Sequence, residues 1–296
     1  MNKNYYYLVA GLKEYQMDTQ VKGFDAIEIR KEISEQISSS DRKYLDLLYM
    51  RYDVENLLSA LDGKNRHNPL GNLSRENIEQ LIEQPESSNS FLGSILSAYH
   101  KKQQQEEADT TADQNIEDEK LTIDTTLPLS HQLWKSYYDM CDKSQSSFIR
   151  EWSKFELTQR NITAAVNARK IGSNPKEVLV GNGTIIDSLS KSQAPDFGLK
   201  EQVEYIDQLL QILDTDNLLD KEKRLDKMRW DVIDQLITYE YFSMNRILGY
   251  LVKVNIIDRW LRLDKSEGER LFRQFSTSLK ASDLVNERSE EIILKK

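Results

Sequence analysis

Hydrophobic residues recur at helical spacing along most of the chain. Over 42–61, Leu47, Met50, Val54, Leu57, Leu58 and Leu61 line one face. This three-and-four spacing is that of an amphipathic helix, and Ser40-Asp41 stands ahead of it as a cap. Phe24, Ile27, Ile29, Ile33 and Ile37 trace a similar stripe over 23–38. A short helix opens at Ser74 and is stopped by Pro85, and another begins near Ser90. Over 130–169, Leu133, Tyr137, Met140, Phe148, Trp152, Phe155, Ile162 and Val166 form the seam of one or two long helices. Helices are further expected over 184–190 and 199–213, then a long one over 221–263 broken near Gly249, then 267–279 and 282–293. The apolar run Asn4 to Leu12 suits a buried strand or a first helix, with helix preferred.

The stretch 101–120 breaks this pattern. It reads K-K-Q-Q-Q-E-E-A-D-T-T-A-D-Q-N-I-E-D-E-K and offers no apolar face. Burial there cannot offset ordering entropy, so a flexible linker or insertion is expected. The net charge of -9 argues against a general nucleic-acid binder, which needs a cationic face to displace counterions. Cys141 is the only cysteine, so no intramolecular disulfide or cysteine-based zinc site can form. No signal peptide and no run of roughly 20 apolar residues is legible, so membrane contact has to pass through partner proteins.

Enzyme signatures are sparse. The chain has no phosphate-binding loop of the G-x-x-x-x-G-K-[ST] kind and no G-x-G-x-x-G fingerprint. His67, His100 and His131 are far apart in sequence and read as surface residues. Asp214-Thr215-Asp216 starts like a calcium loop, but Leu218 and Leu219 occupy positions that need a ligand and a glycine. No catalytic residue, cofactor or metal is assigned. The aromatic residues Trp230, Tyr239, Tyr241, Phe242, Tyr250 and Trp260 read as core or as a partner-facing stripe. The basic-rich run 221–229 reads as a solvated face or a contact for an acidic partner.

One motif recurs. Arg51-Tyr52-Asp53-Val54-Glu55-Asn56-Leu57-Leu58 and Glu156-Leu157-Thr158-Gln159-Arg160-Asn161-Ile162-Thr163 both place a charge five residues before an Asn. Both put a short polar residue (Asp53, Thr158) three before it and an aliphatic residue after it. Each is followed by small residues, a glycine exit (Gly63, Gly172), a Gly-Asn loop at 70–72 or 180–182, and a short helix. A weaker third copy lies at Lys253 to Asp258, where either Asn255 or Asp258 stands at the Asn position. A recurring Asn on a buried helix face needs hydrogen-bond partners and so selects one packing arrangement.

These residues carry a resemblance. Arg51 to Leu61 resembles the first-repeat signature of the C/d family of central-stalk proteins in A-type and V-type ATPases. Glu156 to Ile162 resembles the second, with Thr158 where Asp is usual, and the third copy lacks an expected Glu. The opening Tyr5 to Leu12 looks closer to an uncharacterised bacterial family encoded among the V-type ATPase components. The resemblance implies an all-α fold of three related helical repeats forming a funnel-like body. It divides the chain into a first repeat over 1–100, a linker over 101–120, a second repeat over 121–198 and a third over 199–296. It also implies a non-catalytic cytoplasmic rotor component, peripheral on the inner face of the cell membrane, whose partners are the V-type ATPase shaft and the ion-carrying membrane rotor ring. A helical adaptor of an unrelated complex is the alternative reading, and a helical enzyme with a site assembled from distant carboxylates is the third.

Overall fold

Helix caps and apolar faces account for the fold. The computed structural model describes residues 4–17, 23–87, 90–107 and 127–263. Every regular element among them is a helix, and no strand occurs in them. The opening apolar run forms α1 (Tyr6–Gly11). Asp25 caps α2 (Ala26–Gln36) by accepting from the backbone N–H groups of Ile27 and Glu28, which satisfies donors a helix start leaves open. Then come α3 (Ser39–Leu61), α4 (Arg75–Glu83), α5 (Phe91–Glu107), α6 (Leu129–Asp142) and α7 (Ser147–Ile171). The chain continues through α8 (Thr184–Lys191), α9 (Ile206–Leu213) and α10 (Leu218–Ile237). A further helix, α11, covers 244–263 of the described residues.

Several boundaries differ from expectation. The cap of α3 is Ser38, and Asp41 sits inside the first turn, where it accepts the Tyr5 hydroxyl. The seam over 130–169 is two helices, parted at 143–146 and restarted by Ser146, whose hydroxyl accepts from Ile149 N. The segment 199–205 is a set of turns that bury Leu199 and Val203, so the helix there begins only at Ile206. The helices expected over 267–279 and 282–293 fall outside the described residues. So does most of the expected linker, although α5 extends into it as far as Glu107.

The long helix expected over 221–263 breaks at 238–243, not near Gly249. Gly249 has a different task. A Cβ there would lie 2.6 Å from Ile237 Cγ2 and 3.3 Å from Ile233 Cγ2. The missing side chain lets α11 fold back against α10 at close range. Lys253 reaches Asp234 at 2.5 Å, and Arg259 reaches Asp226 across the same pair.

The three motif-bearing helices converge. The N-terminal ends of α3 and α7 meet through Tyr44, whose hydroxyl donates to Gln145 (3.3 Å). Asn245 at the start of α11 donates to the Ser147 hydroxyl (2.8 Å), and its Oδ1 accepts from Ser146 (2.7 Å). Further along, Tyr49 of α3 donates to Asn255 of α11 (3.2 Å). Helix α6 packs on α3 and α7, and α10 packs on α7 and α9. One hydrophobic core runs through all of them, from Leu8 through Tyr49, Leu57, Ile95, Tyr137, Phe148 and Ile162 to Ile257.

Gly249→Ala tests the close crossing. In an exposed helix this change would stabilise by up to about 1 kcal/mol. Here the methyl meets branched carbons it cannot pass, and overpacking of that kind costs about 1–3 kcal/mol. A net loss is expected, read as a lower urea midpoint at unchanged slope. A gain would show that α10 and α11 do not touch at this point.

Candidate functional site

A loop buried beneath a helix must find partners for its peptide groups. Both good copies of the motif supply them in the same way. Asn56 donates to the carbonyl of Asn68 (2.9 Å) and accepts from the N–H of the same residue (2.7 Å). Asn161 donates to the carbonyl of Val180 (2.9 Å) and accepts from its N–H (2.9 Å). One side-chain amide thus pairs with both polar groups of one loop residue, as a strand neighbour would. Both asparagines are buried, Asn56 at 3% exposure and Asn161 at 1%.

The helix exits match as well. Gly63 and Gly172 both take the left-handed conformation (φ 68° and 73°). Lys64 N bonds back to Ser59 O, and Ser173 N to Ala168 O, with each glycine N–H reaching a carbonyl three residues earlier. This is the double return bond that ends a helix on glycine.

The rest of the motif diverges. Asp53 accepts from Leu73 N (2.9 Å) and from Asn72 Nδ2 (2.7 Å), binding a second point of the first loop. Thr158 instead shares a hydrogen bond with the Tyr205 hydroxyl, whose own dissociation burial pushes up to about 12. The Gly-Asn match between 70–72 and 180–182 is out of register by two residues, because Asn56 clasps Asn68 whereas Asn161 clasps Val180. The two loop glycines also serve different ends. A Cβ on Gly71 would sit 2.5 Å from Asp53 Oδ1 and 3.0 Å from Asn56 Nδ2, while Gly181 takes a φ of 92°. Arg30 completes the first clasp by donating to Leu70 O (2.6 Å) and Asn72 Oδ1 (2.6 Å) while lying over the Tyr49 ring.

The third copy is not built this way. Asn255 accepts from Tyr49, a residue two helical turns before Asn56, and clasps no loop among the described residues. Asp258 pairs with Arg262 one turn on (2.7 Å). Burial raises the Asp258 carboxyl above its ordinary range, and Arg262 offsets this in part. Asp53 is raised too, again chiefly by burial, against the hydrogen bonds from Leu73 and Asn72.

The charges five residues before each asparagine meet each other. Arg51 Nη1 pairs with Glu156, and Nη2 reaches Glu55 at 3.3 Å. Glu156 is buried, so this is a largely desolvated ion pair joining the two motif helices. Burial opposes the Arg51 charge, but Glu156 and Glu55 together outweigh it and hold the proton more tightly than usual. Arg160 lies over the Trp134 ring at 4.3 Å on the same side. Nearby, the His131 ring is lowered in pKa by burial and then by the Arg160 charge, against a hydrogen bond with the Glu177 backbone. Among the described residues, the buried side-chain atoms without a hydrogen-bond partner are Arg51 Nε and His131 Nδ1.

Sequence reasoning missed a second network. Asp226, 1% exposed, accepts from Arg229 (2.8 Å), from Arg259 and from the Trp260 indole (2.8 Å). Arg229 Nε also donates to Gln159 Oε1 (2.9 Å) on α7. Helices α10 and α11 therefore share one buried carboxylate, and Arg229 carries the network on to α7. Its signal lay in the basic run 221–229, which holds Asp226 among its cations and is followed by Trp230 one helical turn on. That run is not a free cationic face, since Arg224 pairs with Asp220 and Lys227 with Asp231. The expected aromatic cluster divides: Trp230 is buried, whereas Tyr239, Tyr241 and Phe242 are exposed. Cys141 is buried and its thiol pushed up to about 12, mainly by that burial, which makes it a poor nucleophile. No group of three or more His, Cys, Asp or Glu among the described residues is placed to hold a metal ion.

The chain belongs to the family described as protein of unknown function (DUF2764), whose model matches residues 1–282. No curated protein and no solved structure matches it.

Two outcomes test this geometry. Asn161→Ala strands the buried N–H and C=O of Val180 and is expected to cost about 2–3 kcal/mol, and Asn56→Ala, whose partner Asn68 is half-buried, about 1–2 kcal/mol. Asn255→Ala is expected to cost under about 1 kcal/mol, since it strands only one hydroxyl that can turn elsewhere. Chemical denaturation gives all three values, and equal losses would remove the distinction between the copies. The second outcome concerns pH. His131 has a folded pKa below its unfolded value, so the stability it contributes is present above about 6.5 and lost as pH falls through the folded value. His131→Gln should flatten the fall in stability below that point, and an unchanged pH profile would remove His131 as its source.

Proposed function

We propose that this member of the family is a non-catalytic central-stalk component of a bacterial V-type ATPase, seated between the rotating shaft and the membrane ring. The observation that carries the reading is the asparagine clasp. It recurs on two long helices at the motif positions that resemble the repeats of the C/d stalk family. Both clasps tie a long helix to the loop and short helix that follow it. A part that transmits torque needs such stiff joints, because a loop satisfied only by water would yield under load.

The ion pair between Arg51 and Glu156 supports the same reading, since it locks one motif helix to the next at equivalent positions. No helix among the described residues is long and apolar enough to cross a membrane. The proposed placement is therefore peripheral, on the cytoplasmic face, through the proteins of the ring and shaft. The funnel-like arrangement of three repeats belongs to the proposal, with the third repeat the most altered.

The decisive measurement is the composition of the ATPase purified from detergent-solubilised native membranes. The chain is expected at one copy per shaft, with an interface of standard size or larger. An intact, active ATPase that lacks this chain and carries another stalk protein of the C/d family would overturn the reading. An unrelated complex recovered with the chain would favour the adaptor reading instead.

A further inference from the structure

Asn217 caps α10 by accepting from Asp220 N, which puts Leu218 and Leu219 in the first turn of that helix. Leu218 is 70% exposed and Leu219 56%. Cross-helix pairs fix what stands beside them. Arg259 of α11 pairs with Glu222 of α10 (2.9 Å), and the Trp260 indole donates to Asp226 (2.8 Å). The two helices run antiparallel, so one turn past Arg259 is level with one turn before Glu222. Leu263, itself 47% exposed, therefore lies beside Leu218 and Leu219, and the chain leaves α11 at this apolar end.

Residues 264–296 follow Leu263 in the sequence. Ser266-Glu267-Gly268-Glu269 is an S-x-x-E capping box, which predicts a new helix from 267. Over 267–279, Leu271, Phe272, Phe275 and Leu279 fall on one helical stripe, with Arg270, Arg273 and Thr277 opposite. We propose that residues 267–279 turn back at Leu263 and lay this stripe over Leu218 and Leu219. The break is the first reason. A capping Ser266 is not helical, so α11 does not run straight on, and a connection as short as 264–266 sets consecutive helices against each other. The tether is the second. Joined through so few residues, the segment meets the leucines at an effective concentration on the order of millimolar, which favours it over a free partner. The third is need on both sides. A lone helix of this length is marginal in water, and Leu218 and Leu219 are the exposed apolar side chains nearest its start. The inference does not depend on the rotor reading.

Hydrogen exchange on the full chain tests it, at about 1 and 50 µM protein. Amides of 270–279 are expected to exchange at least about tenfold slower than those of an unstructured chain, equally at both concentrations. Leu218→Ser/Leu219→Ser should remove that protection while the amides of α3 and α7 keep theirs. Phe272→Ser/Phe275→Ser, a second variant that alters no residue of the α1–α11 body, should remove it from the other side of the contact. Tyr239→Ser/Tyr241→Ser, an exposed pair at the opposite end of the α10–α11 hairpin, should leave it unchanged. Exchange of 270–279 at the unstructured rate in the wild-type chain overturns the proposal. So does protection that survives either leucine or phenylalanine variant, since the segment would then rest on another surface. Protection that rises with concentration would give the leucines to a second copy of the chain, and that too overturns it.

Discussion

A buried peptide group without a partner costs about as much as several good packing contacts contribute. Much of the architecture follows from that constraint. Long helices satisfy their own backbones, but the loops that return from them do not. At Val180 the return loop is buried against the helix it has just left, and at Asn68 it is half-buried there. Only a side chain with one donor and one acceptor at amide spacing can pair with both groups of the residue beneath it. Asparagine meets that need from a helix face, and Gly71 lets the first loop come close enough. With the loop held, α4 and α8 start in defined places and their apolar faces close on the core.

Charge plays the corresponding part between helices. Arg51 and Glu156 are costly to bury singly, because a lone ion in the interior loses its hydration. Paired, they join α3 to α7. The Asp226 network does the same for α7, α10 and α11, with three donors on one carboxylate. Such groups contribute less to net stability than to choosing among packings, since a slipped helix would leave charges stranded.

The fold leaves several large apolar side chains uncovered. The N-terminal ends of α3, α7 and α11 lie together, and the α10–α11 turn and α1 close over that end. The core takes Tyr5 and Leu8, while Tyr7, Tyr239 and Tyr241 are left outside. A second exposed apolar group, Ile171 with Leu218 and Leu219, sits at the opposite end of α7 and α10.

The all-helical class was legible in the sequence, as were the motif helices, their glycine exits and the two asparagines that matter most. These features are local: helical period, caps and left-handed turns are written within a few neighbouring residues. The register of the Gly-Asn loops was not legible, because it depends on which loop residue lands beneath the asparagine. Nor was the role of Gly249, whose neighbours Ile233 and Ile237 come into contact only when α10 folds back on α11. The meeting of Arg51 with Glu156, the fate of Asp226 and the split of the aromatic residues were likewise decided by tertiary structure. Each joins residues far apart in the chain, and helical periodicity states which face is buried but not what that face will meet.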